Sequence, residues 1–125
     1  MKTLFVSVPM KGRTKEAIEY SMQKVKEKAE SHFMQPLELA NTFVEEMEGA
    51  DIGNNGAIVC LGCAIMKLGT ADYYAGLRTP TYYNGCVVEN EVAVLYDIPR
   101  MFYPFTEEIF PDLWEEHKKD YRSKF

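Results

Sequence analysis

The sequence predicts an α/β fold, with about four roughly parallel strands, helices on both faces and a helical C-terminal tail. Three observations carry this reading. Compact, β-prone apolar runs begin almost at the N-terminus with Thr3–Val8. Stretches of helical period or length separate these runs, so strand and helix alternate along the chain. Loop chemistry punctuates the alternation at Pro9–Thr14 and at Asp51–Gly56. Alternation of this kind builds a parallel sheet between layers of helix. A chain of 125 residues forms one domain with material for a real core.

The first element, Thr3–Val8, reads as a buried strand. Pro9-Met10-Lys11-Gly12-Arg13-Thr14 breaks it, and Thr14 caps the helix that follows. In that helix Ile18, Met22, Val25 and Ala29 recur at spacings of four, three and four, forming one apolar stripe. Gln35–Leu39 reads as a short second strand, and Pro36 favours an edge position. Thr42–Ala50 is an acidic, helix-prone connection leading into the Asp51–Gly56 loop. Ala57–Leu68 is nearly all apolar, and its length predicts a buried helix, with Gly69 as its stop.

Ala71–Gly76 reads as a third strand and Leu77–Asn84 as a polar, aromatic loop. A helix follows over about Val87–Tyr96, then a fourth strand over Ile98–Tyr103, interrupted early by Pro99. Thr106 with Glu107 and Glu108 marks a helix start, but Pro111 moves the predicted helix to about Asp112–Arg122. Its stripe of Trp114, His117 and Tyr121 suits docking on the domain or on a second subunit. The division is therefore a domain over 1–103 and a tail over 104–125.

Composition excludes several classes. Hydrophobic residues make up 46%, which argues against disorder, and charged residues 26% with a net charge of −5. An acidic chain lacks the broad positive field that duplex nucleic acid requires. No apolar run approaches the roughly 20 residues that span a membrane. The apolar run after Met1 and Lys2 is too short for a signal peptide, so a cytoplasmic protein is expected. Three cysteines, an odd number, argue for reduced thiols.

In an open parallel sheet, ligands bind beyond the C-terminal strand ends, where strand order reverses. If the first and third strands are neighbours, the loops Pro9–Thr14 and Leu77–Gly85 meet there, and the second runs into Glu89. A carboxylate near a helix start can be a nucleophile, an acid–base group or a complement to the helix dipole. Spacing alone leaves all three open for Glu89 and Glu91. The Ser7–Thr14 loop offers backbone N–H groups with Lys11 and Arg13, which suits a phosphate, but it is neither a Walker loop nor GxGxxG. A plain strand-to-helix turn explains it equally well.

Cys60 and Cys63 have CxxC spacing inside an apolar helix without two further ligands, so they read as buried structural thiols. Cys86 lies beside the cleft with no nearby histidine. His32 and His117 read as surface or helix-face residues. Tyr73, Tyr74, Tyr82 and Tyr83 flank the cleft loop and either stack on a base or pack the core.

The stretches FVSVPMKGRT, NGAIVCLGCAIMKLGTADYY and GCVVENEVA resemble a family of small bacterial and phage proteins that is similar in turn to the nucleoside 2-deoxyribosyltransferases. The resemblance covers about residues 1–103. It implies a flavodoxin-like or Rossmann-like sheet. In the transferases a glutamate four residues before an alanine attacks C1′ of the sugar; Glu89 stands four residues before Ala93. The resemblance further implies that Ser7, Pro9, Met10, Lys11, Gly12 and Arg13, with Gly76, Asn84 and Gly85, bind substrate.

The expected ligand is a nucleoside or nucleoside monophosphate, without cofactor or metal, handled by a homodimer or larger homo-oligomer. The expected activity is N-glycosidic hydrolysis or deoxyribosyl transfer. The chain departs from the transferases where they carry an aspartate: here Asn54-Asn55-Gly56-Ala57 stands in that region. Asp51, Asp72 and Glu91 remain as a possible acid or brace. The alternative function is a non-catalytic nucleotide-binding or sensing protein that keeps the cleft.

Overall fold

The structure is a computed structural model and describes residues 1–42 and 55–117. The acidic connection after Thr42, the candidate acid Asp51 and the stripe residue Tyr121 lie outside the described residues. The chain runs β1 (Lys2–Val6), α1 (Lys15–Phe33), β2 (Leu37–Leu39), α2 (Gly56–Leu68), β3 (Tyr73–Leu77), α3 (Asn84–Leu95) and β4 (Arg100–Tyr103). All pairings are parallel, in the order β2–β1–β3–β4. This is the parallel α/β architecture that the alternation predicts, of the flavodoxin-like, Rossmann-like kind that the resemblance implies.

Local chemistry fixes the elements. The Thr14 side chain accepts from the Ala17 N–H at 3.1 Å and starts α1. Ile18, Met22, Val25 and Ala29 are all buried along one stripe. Met34 ends the helix in the left-handed region, at φ 57°. β2 has three residues and sits at the sheet edge. Its shortness leaves the Val6 backbone without a strand partner on that side. The buried Asn41 amide takes the strand's place, accepting from Val6 N–H and donating to Val6 C=O, each at 2.9 Å. Gly12 turns the loop after β1 with φ +75°, a backbone region that disfavours side chains.

The sheet has two unequal faces. On one, α1 packs on Leu4, Val6, Ala75 and Leu77. Phe105, Ile109 and Phe110 join this same core, so the segment after β4 completes the domain's packing. Trp114 stacks on Phe105 at 5.9 Å between ring centroids, which turns its side of the predicted stripe toward the domain. Residues 114–117 are helical. The other face holds a small core of Phe5, Leu68, Tyr74 and Ala93 beneath α2 and α3.

Two expectations are corrected here. The Ala57–Leu68 run does form a helix, but only Leu68 is fully buried in α2. Cys60 and Cys63, read as buried thiols, are exposed on it. Apolar composition alone does not say which side of a helix meets the core; α2 turns only one stripe, through Ala64, Ile65 and Leu68, onto the sheet. The second correction concerns α3, which begins at Asn84 rather than near Val87. No helix among the described residues is long and apolar enough to cross a membrane.

Gly76 lets α3 approach β3. A Cβ there would lie 2.1 Å from Asn90 Oδ1 and 2.6 Å from Tyr74 Cε1. Asn90 needs this space, because it donates to Leu77 C=O at 2.8 Å and accepts from the Tyr74 hydroxyl. Gly76→Ala should therefore destabilise the fold by about 1–3 kcal/mol, the usual range for overpacking. Urea unfolding measures this; an unchanged midpoint would show that α3 does not depend on the close approach.

Candidate active site

Strand order reverses between β1 and β3, and in open α/β sheets ligands bind beyond the C-terminal strand ends at such a point. β1 runs into Ser7 and the loop to α1, while β3 runs into the loop before α3. Ser7 is buried and held at three atoms. Its N–H donates to Ala75 C=O at 2.9 Å, and its C=O accepts from the Tyr103 hydroxyl at 2.5 Å. Its Oγ donates to Glu89 Oε1 at 2.7 Å.

The early start of α3 decides how Glu89 sits. From Asn84, Glu89 falls in the second turn, and the first turn carries no acid. A dipole-complementing role, one of the three open readings, belongs to the first turn and does not fit either glutamate. Cys86, Glu89 and Ala93 are the buried residues of α3. Glu91 points outward and is exposed. Glu89 is only 8% exposed. Burial raises its pKa from the ordinary 4.5 to about 7, against the opposing pull of the Ser7 hydroxyl.

The neighbours of Glu89 are neutral. Burial pushes the Cys86 thiol up to about 12, so the thiol stays protonated and is no nucleophile. Burial likewise raises the phenols of Tyr74 and Tyr103, and the Glu89 charge adds to both. Tyr83, at the N-cap of α3, is raised to about 12, chiefly by burial. Its hydroxyl is buried with no hydrogen-bond partner among the described residues.

The loop residues divide. Lys11, Met10 and Gly12 are exposed, and Pro9 is buried. Asn84 is exposed and Gly85 half-buried, with open space where a Cβ would stand. Gly76 is buried under Asn90, which makes its role one of packing. Arg13 is turned inward. Its Nε and Nη2 grip Asp112 at 2.8 and 2.9 Å, and Nη1 donates to Pro9 C=O at 2.8 Å. Nη2 also reaches Ser21 Oγ at 2.6 Å, and the guanidinium lies over the Phe110 ring. With its side chain fully buried, Arg13 is spent on the fold and does not stand open to a phosphate. Burial works to raise the Asp112 carboxyl, but Arg13 outweighs it and holds the group below its ordinary range.

The candidate partner acids do not gather at Glu89. Asp72 sits at the opposite end of the sheet, accepting from Thr3 N–H at 2.9 Å and bracing β1 against β3. Its backbone bond with Thr3 lowers its pKa. Glu91 faces away, and Asp51 lies outside the described residues. Among the described residues no three His, Cys, Asp or Glu side chains converge as metal ligands. Of the tyrosines, Tyr73 packs on Phe33 and Tyr74 lies in the core, while exposed Tyr82 lies beside His117.

Compared with protein-family models, curated proteins and solved structures, the chain matches none. Sequence reading missed Tyr103 and Asn90 as parts of the site. A signal was present for Asn90: Cys86, Glu89, Asn90 and Ala93 recur at the three-and-four spacing of an inward helix stripe.

The raised pKa has a consequence for stability. The folded chain holds the Glu89 proton up to about 7, whereas the unfolded chain releases it near 4.5. The contribution of Glu89 to stability is therefore fully present below pH 4.5, falls as pH rises toward 7, and levels off above that, while Asp112, held low by Arg13, works in the opposite sense at acid pH. Glu89→Gln removes this loss, so the variant should gain about 3 kcal/mol on wild type across the window. Urea unfolding from below pH 4.5 to above pH 7 tests it. Parallel stability profiles for the two chains would contradict the burial argument.

Proposed function

We propose that the protein cleaves or transfers at the N-glycosidic bond of a nucleoside or nucleoside monophosphate, with Glu89 as the nucleophile. One observation carries the reading: a nearly buried carboxylate, poised at the strand-order reversal and hydrogen-bonded by the fixed Ser7 hydroxyl. Glu89 Oε bonds to C1′ as the C1′–N bond breaks, and the electron pair leaves on the base nitrogen, which takes up a proton. Water or a second base then attacks C1′ and frees the carboxylate. This is the double displacement of retaining glycosidases.

Other features support the assignment. Lys11 is the exposed cation of the β1–α1 loop and suits a 5′-phosphate, now that Arg13 is committed elsewhere. The open space at Gly85 and the unbonded N-cap of α3 leave helix N–H groups for the sugar or phosphate. A second reading, nucleotide binding without turnover, is favoured by one observation: Asp72 and Glu91 stand away from Glu89, which leaves leaving-group protonation without a carboxylic acid from either.

The nucleophile must be ionised, so base release from a panel of deoxynucleosides and their monophosphates should rise with pH through about 7. Glu89→Gln should lower it by roughly 10³-fold or more, since no bond to C1′ then forms. Nucleotide binding by calorimetry without base release, in both chains, would sink the enzymatic reading and leave the binding one.

A further inference from the structure

We propose that Cys60, Cys63 and Met66 form a sulfur-only site on the outer side of α2 that binds a soft monovalent metal ion of the copper(I) kind. The motif Cys60-Leu61-Gly62-Cys63 has no part in the chemistry at Glu89. Buried thiols are inert packing, but both of these are exposed. Met66 follows three residues on and is 75% exposed. Sulfur atoms thus recur at a spacing of three along one helix, Cys60, Cys63, Met66. Residues at that spacing are neighbours on a helix surface, so Cys63 stands between a thiol and a thioether. The stripe that α2 turns onto the sheet, Ala64, Ile65 and Leu68, lies on the other side of the helix.

Distance decides what the two thiols can share. A regular helix holds Cβ atoms at this spacing about 5–6 Å apart. A disulfide needs them at about 3.5–4.5 Å, so the helix keeps the pair open. An ion held between two thiolates by metal–sulfur bonds of about 2.3 Å sets the sulfurs up to about 4.6 Å apart, which suits the pair without unwinding the helix. The donor set then selects the ion. Among the described residues no three His, Cys, Asp or Glu side chains converge, so a closed four-ligand zinc site is not completed among them. Thiolate and thioether together are soft ligands that select copper(I), an ion satisfied by two or three of them. The unbranched, flexible side chain of Met66 can swing onto an ion held at Cys63. Two thiols lose their protons on binding and the thioether none, so the loaded site carries one negative charge. Lys67, the one charged residue of α2, stands one turn beyond Cys63 and offsets it. The proposal stands independently of what Glu89 does.

Anaerobic titration of the reduced chain with copper(I), against the chromophoric chelator bathocuproine disulfonate, tests it. The wild-type chain should withhold one ion per chain from the chelator. Cys60→Ser with Cys63→Ser should withhold none, and Met66→Leu should yield its ion at a lower chelator concentration. All three positions are open to solvent, so circular dichroism should show the variants folded like wild type. X-ray absorption at the copper edge should show sulfur neighbours alone. A wild-type chain that withholds no copper(I) would overturn the proposal. So would a double variant that binds like wild type, which would mean an adventitious ion only. Nitrogen or oxygen neighbours at the copper, or a Met66→Leu chain that holds the ion as tightly as wild type, would overturn the three-sulfur site as well.

Discussion

A carboxylate taken out of water destabilises a fold unless the fold supplies what water did. At Glu89 the Ser7 hydroxyl supplies part of it, through one 2.7 Å hydrogen bond. The rest of the site follows from keeping that bond in place. Ser7 cannot drift, because β3 holds its N–H and Tyr103 of β4 holds its carbonyl. Glu89 cannot drift, because α3 is seated on β3 through Asn90 and the space left by Gly76. Sheet, helix and glycine thus converge on one oxygen-to-oxygen contact. The compensation is partial, and burial therefore still raises the Glu89 carboxyl above its ordinary range.

A second interaction closes the other side of the domain. Arg13 leaves the β1–α1 loop and ties it to Asp112, while its guanidinium covers Phe110. Ser21 of α1 adds a bond to Ile109 C=O at 2.7 Å. The C-terminal segment is thereby fixed over α1, and the β1–α1 loop gains a rigid root. Of the two cations of that loop, Arg13 is used in folding, which leaves Lys11 as its exposed charge.

Much of this was legible in the residues. The Thr14 cap, the Ile18–Ala29 stripe and the edge strand after Pro36 follow from local rules with short range, and the structure has them. β1 and β3 are neighbours, the condition on which the placing of the site at their C-terminal ends depends. What local rules could not reach were partners distant in sequence. Arg13 reads as a free cation until Asp112, 99 residues away, is seen to hold it. Asp72 and Glu91 read as candidate acids until the register puts one at the wrong end of the sheet and the helix start turns the other outward. The apolar run of α2 reads as buried because composition does not say which positions of a helix face the core, and here only the Ala64, Ile65 and Leu68 stripe does.

The central claim is physical: Glu89 is a buried carboxylate whose ionised form is held by Ser7. Carbon-detected NMR titration of the Glu89 carboxyl tests it directly. In the wild-type chain the group should titrate near 7. In Ser7→Ala, where the bond that favours the ionised form is gone, the midpoint should move higher still. A wild-type midpoint near the ordinary 4.5 would contradict the account, because it would mean that the carboxylate sits in water.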